Sequence, residues 1–413
     1  MKKLICILFS LTLLAALNGP YPGNASNSAK ITMNEDGLVF VTGIESQHIH
    51  VISPYGQLIK KLALPNQVQT VDYISSCPCG GYLLISETQK GVAMTIDDRN
   101  GTTLFQFSGL QTPGPVAVSK HRSRYMAIVE QKKNAVMIYT ERGSFVREIS
   151  GRLRFKEANQ ILLDTENHLW VMDSASQKIL RFNIQGNLLL TIHSSRQIPM
   201  KELVDMDIAH TGHLHVLDVN GTIWVFNMQG NLLESKDLQQ QIPSPSYFCV
   251  HPNNQYYHVL TSSKQYFHLQ SNLSVENKIN NLSSEKIKKV ILLRIGSRII
   301  EHVGFELKLL DESPYIDPSS NRSMVPVRAI AEIFGAIVQW NSIKREVTIQ
   351  WNRDTIRLEV NSDIAWINGT QYKLDAQPAI RNDRTFVPIR FIAEAFNSQI
   401  QWIARDQKVV ISQ

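Results

Sequence analysis

The chain has 413 residues, 43% of them hydrophobic and 19% charged, a length that suggests two or three globular domains, each with its own core. A net charge of +6 and a pI near 9.0 would suit an anionic partner such as a polyanionic envelope polymer. The basic residues are dispersed, with no Lys/Arg block interleaved with aromatics, and this argues against nucleic acid as a partner.

The N-terminus predicts a secretory signal peptide over residues 1–25. Lys2 and Lys3 precede an apolar run over residues 4–17, Asn18, Gly19 and Pro20 break it, and the small residues Gly23 and Ala25 offer a cleavage site. The run is too short for a comfortable span, and no later stretch approaches the roughly 20 apolar residues that a span needs. The mature chain is therefore expected to be exported, with no stable membrane insertion. Cys6 lies too early in the run to carry a lipid. Cys77, Cys79 and Cys249 remain, an odd number that argues against a disulfide framework. The Cys77-Pro78-Cys79 pair has no companion pair, so a structural role is expected for it rather than a metal.

Residues 30–285 carry a long, weak internal repeat. Its clearest copies are "ILLDTENHLWVMDSASQKILRFNIQGNLLLTI" from Ile161 and "MDIAHTGHLHVLDVNGTIWVFNMQGNLLES" from Met206. Each reads as four short strands separated by polar turns. The second strand recurs around Leu38, Tyr82, Met126, Leu169, Leu214 and Tyr256, and the turn after the third strand at Gly56, Gly101, Gly143, Gly186, Gly230 and Asn272. The period of about 44 residues is that of a four-stranded propeller blade. A single such sheet cannot cover its own faces, so six copies are expected to stack radially and close a ring.

The stretch "NHLWVMD" followed by "KILRFNIQGNL" resembles the NHL repeat, with Asp173 and Arg181 on the family pattern and Asp218 keeping the acidic position. Gly43, Glu87, Glu130 and Thr261 or Ser262 stand near that position in the other copies and depart from it. The resemblance implies a six-bladed NHL-like β-propeller over residues 30–285. Some propeller relatives are lyases or lactonases that hold a metal in the central channel. Asp72, Asp205 and Asp207 lie on or near predicted inner strands, but no acid or His repeats there from copy to copy. The pairs His48 and His50, and His213 and His215, each put two imidazoles on one strand face, which is expected to be exposed rather than metal-binding.

From about residue 292 the texture changes. Asn368-Gly369 between alternating runs predicts a hairpin. Ile392, Ala393 and Phe396 form an apolar stripe at helical spacing, with Arg390 and Glu394 four residues apart and expected to pair, as are Arg328 and Glu332 in an earlier copy. Gly335 and Asn397 are expected to cap the two helices. Val338 and Trp340, then Ile400 and Trp402, start strands whose partners carry Val347 and Ile349, or Val409 and Ile411. Trp340 and Trp402 are expected to be equally buried. The doubled stretches "MVPVRAIAEIFGAIVQW" from Met324 and "FVPIRFIAEAFNSQIQW" from Phe386 read as a small folding unit used in tandem.

This doubled motif, on Pro326, Arg328, Glu332 and Trp340 and again on Pro388, Arg390, Glu394 and Trp402, resembles the copper amine oxidase N-terminal, or stalk, domain of exported Gram-positive proteins. The resemblance implies a small α+β domain over residues 292–413 built for display or attachment. In that family the copper and the quinone belong to a separate catalytic domain, whose cofactor Tyr lies in an Asn-Tyr-Asp/Glu motif, and no Asn-Tyr pair occurs here. The first copy lacks the Asn-Gly turn in its upstream half, "IGSRIIEHVGFELKLLD". Residues 271–289, rich in Asn, Ser and Lys, are expected to form the boundary between domains, so that a fragment from about residue 290 folds alone.

No nucleophile motif, phosphate loop or metal-ligand helix is found, and no catalytic, cofactor-binding or metal residue is assigned. The chain is expected to be a non-enzymatic protein without a cofactor, secreted or held at the cell surface of a Gram-positive bacterium. Its expected partner is a protein, a cell-wall glycan or an anionic polymer. The alternative is a metal-dependent propeller lyase or hydrolase acting on an extracellular substrate.

Overall fold

The computed structural model describes residues 29–413 apart from 79, 121–124, 152–153, 210, 252–253, 304–305 and 404–406. The expected signal peptide, Cys6 and Cys79 lie outside the described residues. The chain is mainly β. Six antiparallel four-stranded sheets follow one another over residues 30–63, 73–106, 113–150, 158–193, 203–237 and 245–279, each with its strands in chain order. Their first strands, Lys30–Met33, Tyr73–Ser76, Pro113–Val118, Ala158–Leu163, Leu203–Ile208 and Pro245–Val250, touch in turn, and the last meets the first. The arrangement is propeller-like.

Six apolar clusters fill the seams between successive sheets, including one between the sixth and the first. This explains the second strands. Leu169–Asp173 and Leu214–Asp218 are buried along their whole length because each sheet is covered on both faces. The turn before each outer strand needs a left-handed residue, and Gly56, Gly101, Gly143, Gly186 and Gly230 supply it at φ between 77° and 87°. At Gly101 a Cβ would also lie 2.0 Å from the Ala63 carbonyl oxygen. In the sixth sheet the turn lies at Asn272, as expected, and its left-handed residue is the next one, Leu273, at φ 71°. Asn272 accepts the Ser274 N–H at 3.0 Å, which fixes this turn.

The doubled unit is not a tandem of two self-sufficient copies. One five-stranded sheet runs Glu306–Leu309, Ile299–His302, Val290–Arg294, Lys408–Ser412, Gln399–Ile403, and the other Ile337–Asn341, Glu346–Trp351, Asp354–Glu359, Ile364–Ile367, Thr370–Lys373. Each takes three strands from one copy and the final hairpin from the other, so neither copy completes a sheet alone. A third sheet, Tyr315–Asp317, Arg322–Pro326, Arg384–Pro388, Ala379–Arg381, joins the copies at its centre. There Val325 faces its own equivalent Val387, flanked by Met324 against Pro388 and Pro326 against Phe386, which is the register of a local two-fold axis. Phe334 and Phe396, equivalents again, stack with centroids 5.1 Å apart at 20°. Trp351 donates to the Phe334 carbonyl at 3.1 Å, and its counterpart Gln413 donates to the Phe396 carbonyl at 2.7 Å.

Local chemistry explains the elements. The helices Val327–Ile333 and Ile389–Ala395 each begin after a proline and end in a two-bond left-handed cap. Gly335 N–H reaches Glu332 O at 2.9 Å and Ala336 N–H reaches Ala331 O at 3.0 Å; Asn397 and Ser398 repeat this to Glu394 O and Ala393 O at 3.1 and 2.8 Å. Asn368 and Gly369, at φ 52° and 85°, form the two-residue hairpin turn. The first copy makes its hairpin from Ile299–His302 and Glu306–Leu309 without an Asn-Gly pair.

The segment expected to be a boundary is partly core. Val275–Ile279 is the outer strand of the sixth sheet, and Ile279 and Leu282 are buried in the seam with the first. The C-terminal domain then seats on the first sheet. Val290, Val303 and Val410 pack with Ile49, Ile59 and Leu62, Leu292 lies against the same cluster, and Lys288 N–H donates to Leu58 O at 2.8 Å.

Candidate functional site

The innermost strands form the wall of the ring axis, and this is where a channel site would lie. Each pairs with a neighbour on one edge only, so the other edge presents unmatched N–H and C=O groups. Side chains of adjacent innermost strands satisfy several of them. Ser76 N–H donates to Thr32 Oγ1 at 3.2 Å, and Val118 N–H to Ser75 Oγ at 3.0 Å. Gln160 bonds both N–H and C=O of Met206, at 2.7 and 2.8 Å. Asp205 accepts Phe248 N–H at 2.7 Å and Asp207 accepts Val250 N–H at 2.9 Å.

The two aspartates therefore lace the fifth sheet to the sixth. Burial pushes the Asp205 carboxyl up to about 7 against the downward pull of the Phe248 amide and Lys30, and burial also raises Asp207. Lys30 stands 4.0 Å from the Tyr247 ring centre and 5.2 Å from that of Tyr73, whose hydroxyl burial pushes up to about 12. Asp72 does not join this group, since it accepts Thr88 N–H at 2.8 Å within its own sheet.

The acids at the ends of the second strands have a common structural task. Glu87 accepts Gln69 N–H at 3.0 Å, Glu130 accepts Gln111 and Thr112 N–H at 2.8 and 2.9 Å, and Asp173 accepts Lys156 and Glu157 N–H at 2.9 and 3.2 Å. Asp218 accepts Lys201 N–H at 3.2 Å and the Trp224 indole at 3.0 Å. Each carboxylate tethers the segment that leads into its own sheet. Glu87 and Glu130 thus share the role of Asp173 with one more methylene, and differ from the repeat pattern in residue but not in task. Arg181 binds Asp164 and Glu166, each at 3.0 Å, and reaches the Met228 carbonyl of the next sheet at 3.1 Å.

The histidine pairs are not exposed as expected from sequence: His50 and His215 are buried between neighbouring sheets, and His48 and His213 are half-buried. His50 is fully buried and its ring is pushed down to about 4 by burial. His215 is buried between Asn254 Oδ1 at 3.2 Å and Tyr257 OH at 3.1 Å, and burial pushes it to about 3. Two further buried histidines, His258 and His268, were not singled out in the sequence, where only their alternation on neighbouring strands marks them. Cys77 and Cys249 are both buried, and burial raises the Cys249 thiol well above its usual range. Among the described residues no group of three or more His, Cys, Asp or Glu side chains is placed to hold a metal ion. A cavity of about 400 Å³ opens between the fourth and fifth sheets, beside Gln177, Ser194, Lys201 and Glu202.

In the C-terminal domain Pro326 and Pro388 set the entry into the two helices. The expected helical pairs do not form. Glu332 lies 3.6 Å from Lys308, and Arg390 lies 3.5 Å from Asp375, while Arg328 and Glu394 are exposed. An Arg placed N-terminal to a Glu is the weaker order for such a pair, and cross-sheet partners win. Among the described residues, Arg322 with Asp375 and Arg384 with Asp311, each at 2.8 Å, join the two copies. Trp340 and Trp402 are 40% and 43% exposed, not buried, because both lie on edge strands; the indole packed on the core is Trp351. Glu394, Asp354, Tyr372 and Phe391 line a shallow cavity of about 150 Å³.

Residues 303–411 match the family model of the copper amine oxidase N-terminal domain. The domain begins earlier, since Val290–Arg294 pairs with Lys408–Ser412. No curated protein matches the chain. Among solved structures, a streptogramin B lyase is 16% identical, with a TM-score of 0.45 over 63% of this chain and 84% of its own. A hydrazine synthase from Kuenenia stuttgartiensis is 9% identical, with a TM-score of 0.46 over 62% and 99%. A catalytically inactive virginiamycin B lyase from Staphylococcus aureus with quinupristin is 16% identical, with a TM-score of 0.44 over 67% and 92%. No helix among the described residues is long and apolar enough to cross a membrane.

Proposed function

We propose that this chain is an exported, non-enzymatic binding protein of the cell envelope of a Gram-positive bacterium. Its N-terminal part is a six-bladed NHL-like propeller that presents a binding surface, and its C-terminal part is a stalk-type domain for wall association or display. The observation that carries this reading is the engagement of the ring's acids. Asp205 and Asp207 lace innermost strands, and Glu87, Glu130, Asp173 and Asp218 tether incoming segments. Carboxylates bonded to the backbone in this way serve the ring and are poorly placed to serve a substrate. The net charge of +6 supports an anionic polymer of the wall as partner.

Cosedimentation of the full chain with purified Gram-positive cell walls tests the proposal. The expected result is pelleting that weakens when wall teichoic polymers are stripped or salt is raised. Retention in the supernatant with intact walls, at low salt, would overturn wall association.

A further inference from the structure

The ring closes without strand exchange. The first sheet is built wholly from residues 30–63 and the sixth wholly from residues 245–279, and among the described residues the contacts across this seam run through side chains. Val39, Val41, Ile52 and Leu58 of the first sheet meet Cys249, Leu260, Tyr266 and Ile279 of the sixth. Asn277 donates to Gly56 O at 2.8 Å, and Lys264 donates to Gly43 O at 2.6 Å.

Three buried histidines lie on the strand faces turned toward this seam. His50 shares a face with Val41 and Ile52, and His258 and His268 share one with Cys249 and Leu260. The His258 and His268 rings stack 4.8 Å apart at 10°, and a Cβ at Gly56 of the first sheet would lie 3.0 Å from the His268 Cβ. Both ring nitrogens of His50, both of His268 and Nε2 of His258 are buried without a hydrogen-bond partner. The Tyr55 backbone beside His268 offsets part of its burial.

We propose that this seam is an acid-operated latch, in which protonation of His50, His258 and His268 loosens the first sheet from the sixth and opens the ring at this one place. The surrounding groups give little compensation for the added charge. His258 faces His268 and His251, its Nδ1 meets the Tyr266 hydroxyl at 2.5 Å, and Cys249 is its neighbour across the sheet. His268 faces His251 and the Tyr256 ring, and no carboxylate among the described residues acts on His258 or His268. His50 lies 4.0 Å from Glu45, but Lys61 already holds that carboxylate at 2.8 Å, and His48 adds repulsion. At that end the sixth sheet contributes the cation Lys264.

Burial holds His50 and His268 at about 4 and His258 well below its usual range. Opening to water restores the ordinary value of about 6.5. The open form therefore binds more protons, so closure is complete above about pH 7 and weakens as pH falls through 6.5 toward 4. At about pH 5 each histidine that is freed shifts the balance about 30-fold toward opening. Asp205, raised by burial, acts in the opposite sense, releasing its proton as pH rises through about 7. The second sheet, residues 73–106, contains no histidine and serves as an internal reference.

Hydrogen exchange of the full chain at about pH 7.5 and pH 5, corrected for intrinsic rates, tests the latch. Strands His48–Ile52, Tyr256–Thr261 and Tyr266–Gln270 are expected to lose at least about tenfold more protection in acid than the second sheet. The double variant His258→Phe with His268→Phe is expected to abolish most of that excess. Equal loss in the second sheet would overturn the proposal, as would an unchanged acid response in the folded variant. Should the variant not fold, the comparison within the wild-type chain still decides.

Discussion

The outer strands of the first and fourth sheets begin alike, Gly56-Gln57-Leu58-Ile59 and Gly186-Asn187-Leu188-Leu189, and end in different surroundings. Leu58 and Ile59 are fully buried, whereas Leu188 and Leu189 are 54% and 48% exposed. Ile59 gathers with Val290, Val303 and Val410 of the C-terminal domain, and Leu58 joins Leu282 in the seam. The same contrast divides the two five-stranded sheets. The outward cross-strand pair Leu292 and Val410 corresponds to Arg357 and Thr348 in the sheet related by the local two-fold axis. One apolar face is docked on the ring and its polar counterpart meets water. A duplicated fold has thus been given one adhesive face by a few substitutions, and the C-terminal domain is seated on the ring rather than tethered to it.

The contrast can be broken most severely by charge. Ile59→Asp or Val410→Asp puts an unpaired carboxylate into the docked face and should cost about 3–5 kcal/mol in chemical denaturation. Leu189→Asp and Arg357→Asp, at the matching exposed positions, should change stability by less than about 0.5 kcal/mol. Within the C-terminal domain, Trp351→Ala should cost about 3 kcal/mol, since it removes a ring packed on Phe396 and a hydrogen bond to the Phe334 carbonyl. Trp340→Ala and Trp402→Ala should cost about 1 kcal/mol each, and nearly the same as one another, because both are half-exposed on edge strands. In the ring, Asp205→Ala leaves Phe248 N–H without its acceptor and should cost about 1–3 kcal/mol. Arg390→Ala, which removes only an exposed contact to Asp375, should stay within about 0.5 kcal/mol in the same measurement.

Much of the fold was legible in the sequence because period and turn chemistry are local. The recurring second strands at Tyr82, Leu169, Leu214 and Tyr256 begin where they were expected. Gly335 and Asn397 announce the two left-handed caps, and Asn368-Gly369 announces its hairpin, because each position needs a backbone angle that few residues adopt. What was not legible depends on which element lies beside which. The exchange of hairpins between the two copies leaves no mark on either copy's pattern, and it is this exchange that places Trp340 and Trp402 on sheet edges. Arg390 and Glu394 were four residues apart on one helix, yet Asp375, distant in sequence, holds the arginine. In the same way, Asp205 and Asp207 read as free acids on an inner strand until the neighbouring strand's amides are seen against them. The burial of His50 and His215 follows from sheets covered on both faces, which a single strand's alternation does not disclose.

Hydrogen exchange over residues 285–290 of the full chain tests the seated domain most directly. Lys288 N–H is bonded to Leu58 O across the junction, and Lys289 N–H to Gln413 O. Docking predicts that both amides are protected, and that Val410→Asp exposes Lys288 while leaving the amides of Lys408–Ser412 protected. Free exchange at Lys288 in the wild-type chain, with the two domains individually folded, would contradict docking and show the segment to be a tether.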